Sequence, residues 1–426
     1  MSKSPSEWRQ RRLLQAAMKH GSRRNLLKQR SIFPFYRRLG PPTVMLALSL
    51  LIAAPAFAQN KGFNASTFLN TQYSDNLFLL PGGLQPPDNG PRSDLSTLFG
   101  VNLGLRLPFG RQALDVGAEI LHERYNHYGQ LDYTGGAAHV NLDFGFGSAW
   151  TGKTGYSYAR RAVSFAYNTT DQRNLYRMGS LVADAYFRRG KPGLQSQFGF
   201  SRRTLSYTLP IYDSAKVITY AYNGGIGWLT LTGLRFGLQD TYTRGDYPNR
   251  TLGSGFLDTA YTNNDLRVML QRQTRAGTKW EASIGYSQQK YPHFGGNNFS
   301  ALVGNIRYYI GRNQRLGGEI YLSRSIYPVQ TQASNFVVAD SVGISPSYAL
   351  TAKIDLVFNL GYTRLNYQGR GSQRQDRLAQ IGVTLQWQVA KNWRVNTGYN
   401  RQRRSSNLAR FNYHDNLFSA GINYLF

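Results

Sequence analysis

Residues 379–389 read Ala379-Gln380-Ile381-Gly382-Val383-Thr384-Leu385-Gln386-Trp387-Gln388-Val389. Ile381, Val383, Leu385, Trp387 and Val389 share one parity; Gln380, Gly382, Thr384, Gln386 and Gln388 share the other. Successive side chains of a strand point to opposite faces, so a strand separates these two sets and a helix would mix them. One face is therefore apolar, and the other carries amides, a hydroxyl and glycine. Elsewhere, Phe99, Val101, Leu103, Leu105 and Leu107 oppose Gly100, Asn102, Gly104 and Arg106. Leu234, Phe236 and Leu238 oppose Arg235, Gly237 and Gln239, and Leu356, Phe358, Leu360 and Tyr362 oppose Asp355, Asn359, Gly361 and Thr363.

Following this alternation predicts eighteen strands: 62–74, 94–107, 111–124, 131–145, 149–163, 172–188, 193–207, 215–229, 233–246, 257–272, 278–290, 297–310, 315–327, 338–350, 354–366, 376–389, 393–404 and 412–426. Connections after even strands are short, as at Pro108-Phe109-Gly110 and Ala390-Lys391-Asn392, whereas several after odd strands are longer, notably 75–93 and 247–256. Short turns belong on the periplasmic side of an outer-membrane barrel and long loops outside, which puts both termini in the periplasm. A soluble sandwich could also bury an apolar face, but it rarely needs so many consecutive long strands. The expected fold is all-β: a transmembrane antiparallel up-and-down β-barrel of eighteen strands over residues 59–426. Closure also suits the medium, since hydrocarbon leaves no partner for an open strand edge.

The first 40 residues are basic, with Glu7 as their one acid, and the apolar run Val44–Ala54 follows. It ends in Ala56-Phe57-Ala58, the small-x-small pattern of a signal-peptidase site, so residues 1–58 read as a cleaved signal region with an unusually long n-region. Ser22-Arg23-Arg24-Asn25-Leu26-Leu27-Lys28 has a twin-arginine look, but it lies far from the apolar run, and an outer-membrane barrel should cross the inner membrane unfolded. Residues 1–58 hold eleven of the Lys/Arg, so the formal charge of +28 falls to about +18 in the mature chain. Its basic residues are scattered, without the stripe of a nucleic-acid binder. The chain has no Cys, so the exported protein must rest on hydrogen bonds and packing. No later stretch is long and apolar enough for a helical membrane span.

The polar parity selects Arg106, Asp115, Glu119, Lys153, Asp184, Arg203, Arg235, Asp265, Arg267, Glu281, Arg307 and Arg394 as pore-lining candidates. Charges are tolerable there if the lumen is wet or they pair across the wall. A bore of eighteen strands admits an aqueous channel, narrowed by any loop that folds inward. A basic wall favours anions; Arg267 and Asp265 could equally pair to stiffen it. Arg401, Arg403 and Arg404 fall near the outer rim, where contact with anionic lipopolysaccharide is the plain explanation. Tyr156, Tyr158, Tyr220, Tyr222, Trp228, Trp280, Tyr286 and Trp387 take the outward parity of lipid contacts and aromatic girdles. The mature histidines, His122, His127, His139, His293 and His414, form no metal-binding spacing, and there is no Gly-x-Ser-x-Gly motif. His122-Glu123 and His127 near an outer loop leave a protease-like His/Asp pair as a minor alternative. The chain therefore reads as a non-enzyme with no cofactor or metal.

Phe418, Ala420, Ile422, Tyr424 and Phe426 share one parity up to the terminal aromatic, a pattern that resembles the signature read by the barrel-assembly machinery. Tyr73-Ser74-Asp75-Asn76-Leu77-Phe78 resembles the opening strand of β-barrel porins associated with exopolysaccharide biosynthesis, including the EpsL-like proteins of exosortase-linked clusters. Asp415-Asn416-Leu417-Phe418 echoes it, and Asn423-Tyr424-Leu425-Phe426 resembles the family's ending. The resemblance implies an outer-membrane pore that helps export an extracellular polysaccharide, with a separate periplasmic export protein to deliver it. The alternative is a general or anion-preferring uptake porin for small hydrophilic solutes. Expected partners are lipopolysaccharide, outer-membrane lipids and the assembly machinery; a monomer is preferred over a trimer. An inward-folded loop would favour a size-selective porin, whereas a wide basic bore would suit a polymer.

Overall fold

A computed structural model describes residues 62–168, 170–252, 257–274, 277–311, 315–328, 334, 336–368 and 374–426. The expected signal region 1–58 lies outside the described residues. The chain forms eighteen strands: β1 Phe63–Ser74, β2 Asp94–Phe109, β3 Gln112–Tyr125, β4 Tyr133–Phe146, β5 Trp150–Ala162, β6 Leu175–Phe187, β7 Gly193–Tyr207, β8 Val217–Leu229, β9 Leu234–Asp246, β10 Ala260–Gln273, β11 Lys279–Lys290, β12 Phe299–Ile310, β13 Leu316–Pro328, β14 Phe336–Ala349, β15 Ile354–Gln368, β16 Gln375–Ala390, β17 Trp393–Ser406 and β18 Tyr413–Leu425. Each pairs antiparallel with its sequence neighbours, and β1 pairs with both β2 and β18, closing the ring. The eighteen-strand expectation is met, with every boundary within three residues of its expected place.

The alternation that defined the strands sorts them here as well. Leu107, Ile120, Val140, Phe198, Ile226, Phe236, Leu266, Ile284, Leu302 and Ile306 are large apolar side chains standing exposed on one face of the wall. In water such a surface would aggregate; against acyl chains it is the stable arrangement. The protein is an outer-membrane barrel with both termini on the periplasmic side, where turns such as 110–111 and 391–392 are short. The outer end carries the longer connections.

The ring is closed by side chains as well as by the ladder. Asp75 accepts the main-chain N–H of Asn416 at 2.8 Å and its side-chain amide at 2.5 Å. Asp415 accepts the Ser74 hydroxyl at 2.7 Å, the Asn76 main-chain N–H at 3.2 Å and the Gln402 amide at 3.0 Å. Asn76 donates its amide to the carbonyls of His414 and Leu80. The two related motifs, Asp75-Asn76 and Asp415-Asn416, therefore meet across the β1–β18 seam.

One stretch of wall departs from the cylinder. The β12–β13 ladder runs only from Ile310↔Gly318 to Gly304↔Arg324, so Phe299–Val303 and Ser325–Pro328 are not paired with each other. Beyond that point the β13–β14 hairpin remains paired to itself and to β15. Phe336, Val337, Val338 and Ala339 are all buried, at 1–3% exposure, which a strand in a simple barrel wall cannot achieve on both faces. One face, Phe336 and Val338, packs with Tyr247, Tyr261, Tyr291, Phe299 and Val217. The other, Val337 and Ala339, packs with Leu365, Tyr367 and Leu378. The outer end of the hairpin thus lies inside the ring, between the walls of β8–β12 and β15–β16. Phe336 meets Phe299 with ring centroids 4.4 Å apart.

Candidate functional site

The lumen carries the charged and polar face of the wall, and packed segments fill its outer half. Besides the β13–β14 hairpin, residues 163–168 after β5 turn inward. Phe165 packs on Phe78 of the β1–β2 connection at 4.8 Å, and Phe78 packs edge-on to Tyr128 at 4.7 Å. The Ala166 carbonyl accepts a hydrogen bond from the Arg404 guanidinium at 3.3 Å. Arg404 belongs to β17, six strands around the ring from β5, so this contact crosses the bore. Tyr212, in the β7–β8 connection, donates its hydroxyl to the Tyr167 carbonyl at 3.2 Å.

Arg404 is the anchor of this arrangement. Its Nε donates to Asp376 Oδ2 at 2.8 Å, and its Nη2 bonds the same carboxylate and the Tyr367 hydroxyl, the latter at 2.8 Å. Asp376 is fully buried and also takes Arg374 Nη2 at 2.8 Å. Arg374 in turn lies over the Phe411 ring at 3.3 Å. Two guanidiniums around one buried carboxylate, each with further acceptors or a ring to cover it, is the geometry that makes a desolvated ion pair stable. The expectation that Arg404 serves the lipid rim with Arg401 and Arg403 is corrected here: those two are exposed, but parity turns Arg404 inward, where it is 3% exposed.

Two further clamps hold the outer connections. Asp94 accepts the main-chain N–H groups of His127 and Tyr128, and the His127 ring at 2.9 Å. Asp258 accepts the N–H groups of His293 and Phe294, and the His293 ring at 2.8 Å. The loops involved share a pattern, Tyr125-Asn126-His127-Tyr128-Gly129 and Tyr291-Pro292-His293-Phe294-Gly295, each leading into a single 3-10 turn. Tyr125 and Tyr291 donate their N–H groups to Asp132 at 2.7 Å and Asn298 at 2.8 Å. His127 is thus a loop clamp, its ring and main-chain N–H both tied to Asp94. Among the described residues no cluster of His, Asp or Glu could hold a metal ion.

Seven of the twelve charged wall residues named from parity have an opposite charge beside them, Asp265 and Arg267 pairing with each other and the rest with residues outside that set. Arg106 meets Asp143 at 3.4 Å, His139 meets Asp115 at 2.7 Å, and Arg161 meets Glu119 at 2.7 Å. Arg267 grips Asp265 with two bonds of 2.5 and 2.7 Å, Glu281 pairs with Lys279, and Arg307 reaches Glu319 at 2.9 Å. Arg394 bonds Gln388 at 3.2 Å, and Arg235 bonds Gln197 at 3.4 Å. Lys153 stands opposite Asp184 in the ladder, and both line a recess of about 850 Å³ with Arg111, Asp143, Arg189 and Lys191 toward the periplasmic end. Arg203 stands opposite Thr219. Among the described residues Lys153, Asp184, Arg203, Arg235 and Arg394 have no ion-pair partner; Lys153 lies between Asp184 and Asp143 in the ladder, so Arg203 and Arg235 on β7 and β9 and Arg394 on β17 carry the uncompensated positive charge of this set.

A family described as "Putative beta-barrel porin 2" matches residues 265–426. No curated protein matches the chain. Among solved structures, Pseudomonas aeruginosa OccK2 (OpdF) is similar with TM-score 0.50 at 9% identity, covering 85% of this chain and 98% of that one. OccK2 in complex with glucuronate gives 0.49 at 9% identity, covering 85% and 98%. P. aeruginosa OpdK with vanillate gives 0.49 at 11% identity, covering 85% and 99%. At such identities the likeness to OccK2 is one of fold: a porin-like, eighteen-stranded outer-membrane barrel. The expectation of exopolysaccharide export is corrected at this point. In this chain folded segments span the outer half of the bore that a polymer would have to traverse.

Proposed function

We propose that this protein is an anion-preferring uptake channel for small hydrophilic solutes. The observation that carries the reading is the combination of an outer mouth narrowed by packed segments and a wall whose uncompensated charges are basic. A basic wall in a confined aqueous bore concentrates anions and repels cations, and the narrow mouth sets an upper size. Arg203 and Arg235 on β7 and β9 are the proposed guides, with Lys153 beside Asp184 on β5 and β6 toward the periplasmic end; Arg106, Arg267 and Arg307, each held by an acid, stiffen the wall around them. Asp143, Asp265 and Glu319 supply those counter-charges, while Asp115, Glu119 and Glu281 hold His139, Arg161 and Lys279, and Arg394 faces the periplasmic exit. Small carboxylates of the kind seen bound to the fold relatives suit such a path.

Reversal potentials across a planar bilayer in a salt gradient test this. The wild type should prefer chloride over potassium, and Arg203→Gln with Arg235→Gln should move the reversal potential toward the cation side. Arg401→Gln with Arg403→Gln, on the outside of the wall, should not. Cation preference in the wild type, or free passage of large neutral dextrans into protein-loaded liposomes, would overturn the proposal.

A further inference from the structure

The lipid-facing wall carries a second pattern that the channel does not use. On ascending strands an outward aromatic is followed two residues later by an outward arginine, as in Tyr242 and Arg244, Tyr362 and Arg364, and Tyr399 and Arg401. Aromatics mark the membrane interface, so these arginines stand at the height of the outer headgroups.

At β15–β16 the pattern produces a conflict. Arg364 lies directly opposite Arg377 in the ladder, on the outward face. On the other side Arg364 faces Asp340, but that carboxylate is already engaged by Arg324 at 3.3 Å. The row Arg324, Asp340, Arg364 and Arg377 across four strands thus holds three guanidiniums to one carboxylate, and among the described residues neither Arg364 nor Arg377 has an ion-pair partner. Like charges directly opposite in a sheet destabilise it, and the low dielectric beside hydrocarbon strengthens the repulsion. An anion at this height would remove the conflict.

Just below, the wall is concave. A groove of about 820 Å³ crosses the seam where the β12–β13 ladder stops, floored by Leu302, Ile306, Leu322 and Val342, with Arg324 and Arg364 at one edge. The inward bend of the β13–β14 hairpin accounts for the hollow. An apolar trough capped by guanidiniums complements a molecule with acyl chains and a phosphate, and guanidinium forks match phosphate oxygens in pairs.

We propose that Arg364 and Arg377 bind a phosphate of one lipid A moiety of outer-leaflet lipopolysaccharide, with an acyl chain of the same molecule in the groove between β12 and β13. The full-length mature barrel, delipidated in detergent, is titrated with lipid A and with its dephosphorylated form and read by native mass spectrometry. The wild type should hold one lipid A, and bind the dephosphorylated form about tenfold or more weaker, since each basic residue near an anionic lipid surface contributes on the order of a kcal/mol. Arg364→Gln with Arg377→Gln should reduce lipid A to that lower level while leaving single-channel conductance unchanged. Leu302→Trp, which fills the trough, should weaken both lipids alike. If the double Gln variant does not fold, Arg364→Lys with Arg377→Lys keeps the charges and loses the paired geometry, and should fall between. Equal binding of the two lipids, or a double variant that binds like the wild type, would overturn the proposal. So would a complex of two protein chains that lipid A fails to displace, which would give this face to a second copy.

Discussion

Arg404→Ala should release the segment 163–168 from the far wall and make the channel noisier and more conductive. The guanidinium is 3% exposed and bonds the buried Asp376, the Tyr367 hydroxyl and the Ala166 carbonyl. Removing one member of a buried ion pair leaves the other charge desolvated, at a cost of about 3–5 kcal/mol. Part of that cost is recovered because Arg374 still contacts Asp376 at 2.8 Å. That cost falls on the wall; the tie to the segment is the charged hydrogen bond to the Ala166 carbonyl, worth about 1.5–3 kcal/mol, so the ratio of released to anchored segment rises roughly ten- to hundredfold. Single-channel recordings should then show frequent steps to a higher conductance, and limited proteolysis from the outer side should cut within 163–168 at a protein dose that spares the wild type. Arg404→Lys should be intermediate, since one ammonium cannot reach all three acceptors. Unchanged conductance, noise and cleavage in Arg404→Ala would refute the idea that this cluster ties the segment across the bore.

Asp258 gives a pH prediction. Burial pushes its carboxyl up, but hydrogen bonds from the His293 ring and from the main-chain N–H groups of His293, Ala260 and Phe294 outweigh that and hold it below the ordinary carboxylate range. A carboxylate held low contributes stability above its unfolded value and loses it as pH falls through the lowered one, so amides of 291–298 should exchange faster only in acid, and Asp258→Asn should show that behaviour at neutral pH. Faster exchange on raising the pH instead would contradict the clamp. The mature protein isolated from outer membranes should begin at Gln59; an N-terminal peptide containing residues before Ala58 would move the processing site.

The barrel was readable because strand parity is a local, period-two property, and eighteen segments each carried it. Parity also placed Arg106, Asp115 and Asp265 on the face where they find their partners. Tertiary choices were harder to read. Ion pairing among Arg106, Asp143, His139 and Asp115 depends on three adjacent strands and their stagger, which no single segment encodes. The inward hairpin did leave a trace: Phe336-Val337-Val338-Ala339 is apolar at four consecutive positions, the mark of a strand buried on both faces. Assigning 336–337 to a loop concealed it. Arg404 was grouped with Arg401 and Arg403 by proximity in sequence, although parity alone separates it from both. The loop clamps were also visible as a repeat, since His127 and His293 sit in matching surroundings, but a repeat of five residues gains meaning only when Asp94 and Asp258 are seen beneath it.

The meeting of Asp75-Asn76 with Asp415-Asn416 bears on how the cylinder finds its correct closure. The first and last strands must select one alignment among several that leave oily and wet faces properly sorted, because a slip of two residues preserves that sorting. Ladder bonds alone would scarcely distinguish such neighbours. A two-residue slip would carry Asp415 away from Ser74 and Asn76, and Asn416 away from Asp75, leaving acids and amides unpaired in a poorly hydrated place. The seam thus proofreads its own register: the two ends of the chain carry matching keys, and the ring locks only when they engage.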